Sequence, residues 1–226
     1  MPATPRSLST PFLWGPDRLQ LVTPAAAARQ LAHRDRDLGR IIERVGMPDL
    51  KRPSIRSPVH YLQRSIVYQQ LSGKAAATIY RRFLELFQGR LPTSEVVVGT
   101  AESSLRGAGL SAAKARAIRD LADHHQAGRI PTRRALYRMD REAIVDRLTA
   151  VRGVGPWTVE MLLIFYLGHA DVLPLGDLGI RNGYQRAFGK RRLPSLRTLE
   201  RHGQRWRPYR SVASWYLWRA LEIPPD

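Results

Sequence analysis

The 226-residue sequence contains no cysteine, and only Lys51, Lys74, Lys114 and Lys190 of its 37 basic residues are lysines. Without cysteine there is no disulfide, no thiolate-zinc or Cys-ligated iron-sulfur site and no thiol nucleophile. Long apolar runs are also missing. The longest, "MLLIFYLGHADVLPLG", carries charge and a Pro-Gly break and is too short to span a bilayer. The first residues, "MPATPRSLSTPFLWG", lack the apolar core of a signal peptide, so a soluble, cytoplasmic, nucleoid-associated protein of prokaryotic type is expected. Acidic residues are scarce, 19 against those 37, for a net charge of +18. A genome that prefers arginine codons would produce the same bias. The size of the surplus nonetheless favours a polyanionic partner, nucleic acid ahead of an anionic membrane.

What is present reads as helix. Hydrophobic residues make up 43% of the chain, enough for a packed core. The stretch before Thr23 is proline-rich and irregular, with a strand at most around Arg18 to Val22. "PAAAARQLAHRDRDLGRIIERVG" forms one or two helices that stop at Gly46 and Pro48, and "KRPSIRSP" is a linker. Ser57 caps a helix with Pro58 at its first position. Another helix begins near Lys74 and runs to about Gln88. Ser111 caps "AAKARAIRDLADHH", and Asp140 caps "REAIVDRLTAV". After "VRGVG", Pro156 opens a helix to about Gly168, and two or three more follow. The expected class is all-α, in two helical subdomains. One comprises residues 1–56 with 171–226, and the other residues 57–170.

The turn "VRGVGPWT" raises a chemical question. Gly153 and Gly155 can adopt positive φ or let another backbone approach, and Pro156 suits a first helical turn. The N–H groups of this turn and of the next helix's first residues are expected to stay free. They would form a donor cluster at the positive end of a helix, a seat for a phosphate that reads no sequence. A plain helix-helix turn would use the same glycines. By residue type alone, Asp177 is the N-cap of "LGIRNGYQRAFG".

Five stretches in order give the chain a resemblance. "LTAVRGVGPWTVEMLLIF" followed by "DVLPLGDLGIR", together with "RSIVYQQLSGKAA", "AGLSAAKARAIRDLA" and "WRPYRSVASWYLW", resembles the helix-hairpin-helix DNA glycosylase superfamily. The branch it looks most like is the alkylbase one, of the 3-methyladenine DNA glycosylase II type. The resemblance spans about Ser57 to Leu221. It implies a DNA N-glycosylase acting in base excision repair as a monomer on duplex DNA, with the duplex across a cleft between the subdomains. In it, Gly153, Val154, Gly155 and Thr158 of the hairpin grip the DNA backbone. Gln69, Gln70 and Leu71 form the loop that wedges into the duplex, with Gln70 foremost.

The same resemblance makes Asp177 the catalytic carboxylate. It lies 22 positions after Gly155, and Pro174 and Gly176 can bend the chain back towards the hairpin. A fixed negative charge stabilises the oxocarbenium-like sugar that forms as an N-glycosidic bond breaks. No second carboxylate acid stands in the motif. None is needed if the base leaves as a cation becoming neutral, as 3-methyladenine or 7-methylguanine does. Members that also nick the strand carry a lysine where this chain has Trp157, so a monofunctional enzyme is implied; Lys74 or Lys114 as nucleophile is the weaker alternative. Trp157 and Trp218 match base-pocket positions, where electron-rich rings suit a cationic base; Trp215 is assigned to the core. Met161 and Leu178 stand where alkylbase members can carry tyrosine, which implies a wider pocket. No cofactor and no side-chain metal site is expected, and a cation on the hairpin carbonyls would be structural.

Ten basic residues between Arg181 and Arg210, opposed only by Glu200, add phosphate contacts or a solvated face. Arg210 is the one expected to be buried instead, and His169 is expected to be structural. The rival readings are the same superfamily acting on mismatched, uracil-containing or deaminated sites, a non-catalytic protein that binds damaged DNA, and, more weakly, an RNA-binding module.

Overall fold

The computed structural model describes residues 22–50 and 53–224. The expected irregular segment before Thr23, with its strand around Arg18, lies outside them except for Val22 and Thr23. Among the described residues every element longer than a single bridge residue is helical. In chain order these are α1 (Pro24–Arg34), α2 (Arg36–Val45), α3 (Pro58–Tyr68), α4 (Gly73–Glu85), α5 (Ser94–Gly99), α6 (Glu102–Gly107), α7 (Ala112–Gln126), α8 (Arg133–Leu136), α9 (Arg141–Thr149), α10 (Pro156–Met161), α11 (Leu178–Ala187), α12 (Leu196–Gly203) and α13 (Arg210–Ala220). None is long and apolar enough to cross a membrane. The short helices α5, α6 and α8 span too few turns to leave a periodic signature. The expected single helix from Pro156 to Gly168 is α10 followed by a π-helical segment, Leu162–Leu167. It closes at Gly168, whose φ of 74° lets the His169 N–H reach back to the Leu163 carbonyl.

The chain forms two compact units, one from residues 53–162 and one from the residues before and after them. Caps set the helix starts. Ser72, Ser111, Asp140 and Asp177 each accept an N–H three residues on. Ser57 precedes α3 without such a side-chain bond.

In the terminal unit, α1, α2, α11 and α13 enclose a core of Leu31, Leu38, Ile180, Trp206, Val212, Tyr216 and Leu217. Gly183 is required there, because a Cβ on it would sit 2.0 Å from the Leu217 carbonyl oxygen of α13. The stretch read as one or two helices is two, divided at Asp35, which ends α1 and caps α2. This buried aspartate also accepts from His202 Nε2 at 2.7 Å and Trp206 Nε1 at 2.8 Å.

Burial pushes the Asp35 carboxyl up, but the His202, Trp206 and Leu38 hydrogen bonds outweigh it and hold it below the usual aspartate value. The unfolded chain therefore takes up this proton first. The stabilisation is complete above about pH 4 and is lost as pH falls through the depressed native value. Asp35→Asn is expected to cost about 2 kcal/mol at pH 7 and to flatten the acid side of the stability curve. Urea denaturation followed from pH 7 to 3 checks this; an acid limb parallel to wild type would contradict it.

Candidate functional site

In the central unit three segments converge. The first is the α3–α4 loop. Gln69 ends α3, and Gln70 adopts a left-handed φ of 56°. Gln70 and Leu71 are exposed, whereas Gln69 turns the other way. Its amide Nε2 donates to the Gly153 carbonyl at 2.9 Å and to Thr158 Oγ1 at 3.2 Å. Of the three expected wedge residues, only Gln70 and Leu71 project.

The second segment is the α9–α10 turn. Gly153 takes the positive φ, 74°, and a Cβ there would meet Ala117 Cβ at 2.9 Å. Gly155 does not: its φ is −93°, it is the N-cap of α10, and the space around its Cα is open. One left-handed residue is enough to reverse the chain, so the second glycine keeps the turn's surface bare rather than making the bend. The expected donor cluster is smaller than the sequence suggests. Arg152 N–H is taken by Asp120 Oδ2 at 2.7 Å and Val154 N–H by the Val151 carbonyl at 3.1 Å. Among the described residues, the N–H groups of Gly153 and Gly155 have no partner. Val154 and Thr158 are each 3% exposed, so neither side chain can reach a duplex and only their main chain can contribute. Arg141 holds α9 to α10 through Glu160 at 3.1 Å. The carbonyls of Leu148, Val151 and Gly153 already accept hydrogen bonds, so the turn keeps its shape through protein contacts. A cation at the turn would have to share those oxygens.

The third segment is α7, which backs the other two. Lys114 Nζ donates to the Val67 and Gln69 carbonyls, both at 2.7 Å, and so caps the end of α3. Burial pushes its amine pKa down. An ammonium held by two carbonyls at a helix end is engaged in holding the loop. Trp157, on the first turn of α10, is 45% exposed. Met161 is half-buried, and its carbonyl accepts from Tyr61 Oη at 3.2 Å.

In the terminal unit the loop from His169 to Gly176 delivers Asp177. Arg210 is 9% exposed, as its expected structural role requires. It grips Asp171 through Nε to Oδ1 at 2.7 Å and Nη2 to Oδ2 at 2.8 Å, and Nη2 also reaches the Asp171 carbonyl at 3.0 Å. Ser211 Oγ donates to the His169 carbonyl at 2.6 Å and accepts the Val172 N–H at 3.0 Å. Ser214 Oγ adds a bond to the Val172 carbonyl at 3.3 Å. The "YRSVAS" start of α13 is thus the clamp that holds this loop.

Asp177 is half-buried and caps α11, its Oδ1 accepting from Ile180 N–H at 2.7 Å. The same oxygen accepts from Trp218 Nε1 at 3.0 Å. Two donors on one oxygen orient the carboxylate. Gly179 leaves the room: a Cβ there would stand 3.0 Å from both Asp177 Oδ1 and Trp218 Cδ1. Phe165 stacks on Trp218 with ring centres 5.8 Å apart and planes 28° apart. Sequence reading passed over Phe165, because "MLLIFYLG" looks uniformly like core; an aromatic in a half-buried π-helical turn is the signal it lacked. Leu178 is 58% exposed, beside the carboxylate in sequence. The basic run also sorts itself. Arg181 and Arg186 donate to main-chain carbonyls of Pro194 and of Leu221 and Ile223, and Arg207 pairs with Asp171. Lys190, Arg191, Arg192, Arg197, Arg201 and Arg205 remain as exposed charges.

Residues 64–208 match the family model described as HhH-GPD superfamily base excision DNA repair protein. The chain belongs to the HhH-GPD superfamily. It is 37% identical over 169 residues to DNA-3-methyladenine glycosylase 1 of Schizosaccharomyces pombe, covering 74% of each chain. It is similar in structure to the 3-methyladenine DNA glycosylase Mag1 of that yeast, solved in complex with abasic DNA. The TM-score is 0.80 at 34% identity, over 87% of this chain and 97% of that one. A DNA-3-methyladenine glycosidase from Bacillus halodurans gives a TM-score of 0.76 at 36% identity, over 86% and 88% of the two chains. The all-α fold expected from the motifs is therefore the fold of this superfamily, and the branch that those motifs resemble is the one these relatives carry in their names.

Proposed function

We propose that this HhH-GPD protein is a monofunctional DNA glycosylase that removes alkylated bases of the 3-methyladenine and 7-methylguanine type from duplex DNA. The observation that carries the reading is the Asp177 carboxylate, fixed by Ile180 N–H and Trp218 Nε1. Binding DNA gains nothing from a negative charge held rigidly in place, whereas a developing sugar cation does. The names of the relatives support the substrate class.

The target nucleotide leaves the stack, and Gln70 and Leu71 enter the space it vacates. Gly153 and Gly155 N–H bind a backbone phosphate. Trp157 and Trp218 offer faces to the cationic base. The bond from the sugar C1′ to the base nitrogen breaks, and its electron pair neutralises the base, which needs no proton. Asp177 stabilises the cation left on the sugar and orients the water that adds to C1′, whose proton passes to the carboxylate or to solvent. With tryptophan at position 157 and Lys114 engaged, neither position supplies an amine to attack the sugar, and the product is an intact abasic site. The reading includes a monomer acting on the damaged strand of cytoplasmic DNA. The exposed cations from Lys190 to Arg205 add sequence-independent affinity that falls with salt.

Met161 and Leu178 in place of aromatic residues favour a second reading, a broader pocket that also accepts deaminated bases. One panel decides. Single-turnover release is measured from duplexes carrying 7-methylguanine, 3-methyladenine, hypoxanthine or uracil and scored as alkali-labile sites. Release from the two alkylated duplexes alone is the expected result. Release from hypoxanthine or uracil alone would replace the substrate class. Tight binding with no release from any of the four would leave a damage-binding protein.

A further inference from the structure

Of the residues expected in the wedge, Gln69 is the one whose side chain cannot take part, and its engagement elsewhere is informative. Its amide bridges from the end of α3 to the Gly153 carbonyl and Thr158 Oγ1 across the hairpin. Lys114 ties the main chain on either side of Tyr68 to α7. One face of α7, reading Lys114, Ala117 and Asp120 at three-residue spacing, serves both segments. Lys114 holds the loop, Ala117 Cβ lies beneath Gly153, and Asp120 Oδ2 holds Arg152 N–H. Lys114 and Asp120 are separated by about 9 Å of helix rise. The loop and the turn are thus pinned to one rigid rod and cross-linked to each other.

We propose that Gln69, Lys114 and Asp120 are positioning residues that lock the Gln70–Leu71 loop and the Arg152–Gly155 turn into a single rigid element, so that duplex penetration occurs in fixed register with phosphate grip. This rests on the reading that Gln70 and Leu71 enter the duplex. The physical advantage is preorganisation. A free loop would have to be ordered at each encounter, whereas a braced one penetrates at a set distance from the held phosphate. Gln69 and Lys114 touch neither base nor sugar and act only through the loop.

The test uses the full chain with four readouts: 2-aminopurine fluorescence beside the lesion for flipping, single-turnover release at saturating duplex, affinity for undamaged duplex, and thermal stability. Gln69→Ala and Lys114→Met are expected to lower flipping and saturating release by about ten- to a hundredfold, with affinity for undamaged duplex within about twofold of wild type. Lys114→Arg, which can still reach a carbonyl, is expected to recover most of the loss. Gln69→Glu keeps the shape but cannot donate, and it reproduces the defect should Gln69→Ala fold poorly. Combined with Leu71→Ala, Gln69→Ala should cost less than the product of the two single losses, since both act on one step.

Equal loss of flipping and undamaged-duplex affinity, multiplicative losses in the double variant, or unchanged flipping in Gln69→Ala would each overturn the brace while leaving the wedge in place. Unchanged flipping in both Gln70→Ala and Leu71→Ala would overturn the wedge reading, and the brace with it.

Discussion

Asp177→Asn is expected to lower single-turnover base release by about a hundred- to a thousandfold while leaving affinity for an abasic-site duplex near wild type. The substitution is chosen for what it keeps. Asparagine caps helices as well as aspartate does, and its Oδ1 can still accept from Ile180 N–H and Trp218 Nε1. The charge is lost, and the second oxygen becomes an NH2 donor. Asp177→Ala removes the cap as well and should cost about 1 kcal/mol of stability. If Asp177→Asn released base as fast as wild type while Asp177→Ala was less stable, Asp177 would be a helix cap with no part in the chemistry. If both variants lose release but only Asp177→Ala loses stability, the two roles are separate and both real. Chemistry and capping then share one oxygen without conflict, since capping uses the carboxylate's position and chemistry its charge.

Arg210→Met should destabilise the protein by about 3 kcal/mol, because it removes three charge-assisted hydrogen bonds to Asp171 and leaves that carboxylate only the longer Arg207 contact at 3.4 Å. For a chain of this length that is a fall in melting temperature of roughly 6–12 °C. The effect should extend to function. Arg210 holds Asp171 six residues before Asp177, in the loop that Ser211 and Ser214 also stitch to α13. Base release by Arg210→Met, measured well below its melting temperature, should therefore fall by about tenfold or more. Arg210→Lys restores the charge but not the two-pronged geometry and should lie between. A variant that melts early yet releases base at the wild-type rate would show that Asp177 keeps its place without this clamp.

Much of the fold could be read in the sequence because it is written in short-range terms. The capping residues Ser111, Asp140 and Asp177 act on N–H groups three positions away, whereas Ser57, read as a cap on the same grounds, makes no such bond. Gly153 and Pro156 set backbone angles at their own positions. Each is a local decision, and a sequence reports local decisions directly. The ordered motifs could be read for the same reason, as could the chemistry excluded by the absence of cysteine. The short helices α5, α6 and α8 could not, since they are too brief for periodicity to declare itself.

The sequence by itself determined that this chain is helical, where most of its longer helices begin, that a glycine turn sits before Pro156, and that one aspartate opens the helix after the Pro-Gly loop. Only the tertiary structure decided which way side chains point. Gln69 and Gln70 are neighbours of one type, yet one is bound to a carbonyl 84 positions away and the other stands exposed. Arg210 and Arg205 belong to one basic run, yet one is buried on Asp171 and the other lies in solvent. Trp218 reads as core or pocket until its Nε1 is found on Asp177, 41 positions off. A capping bond closes within one turn of chain and depends on nothing else. A side chain's partner across the fold depends on where many other helices have packed, and no short window of residues contains that information.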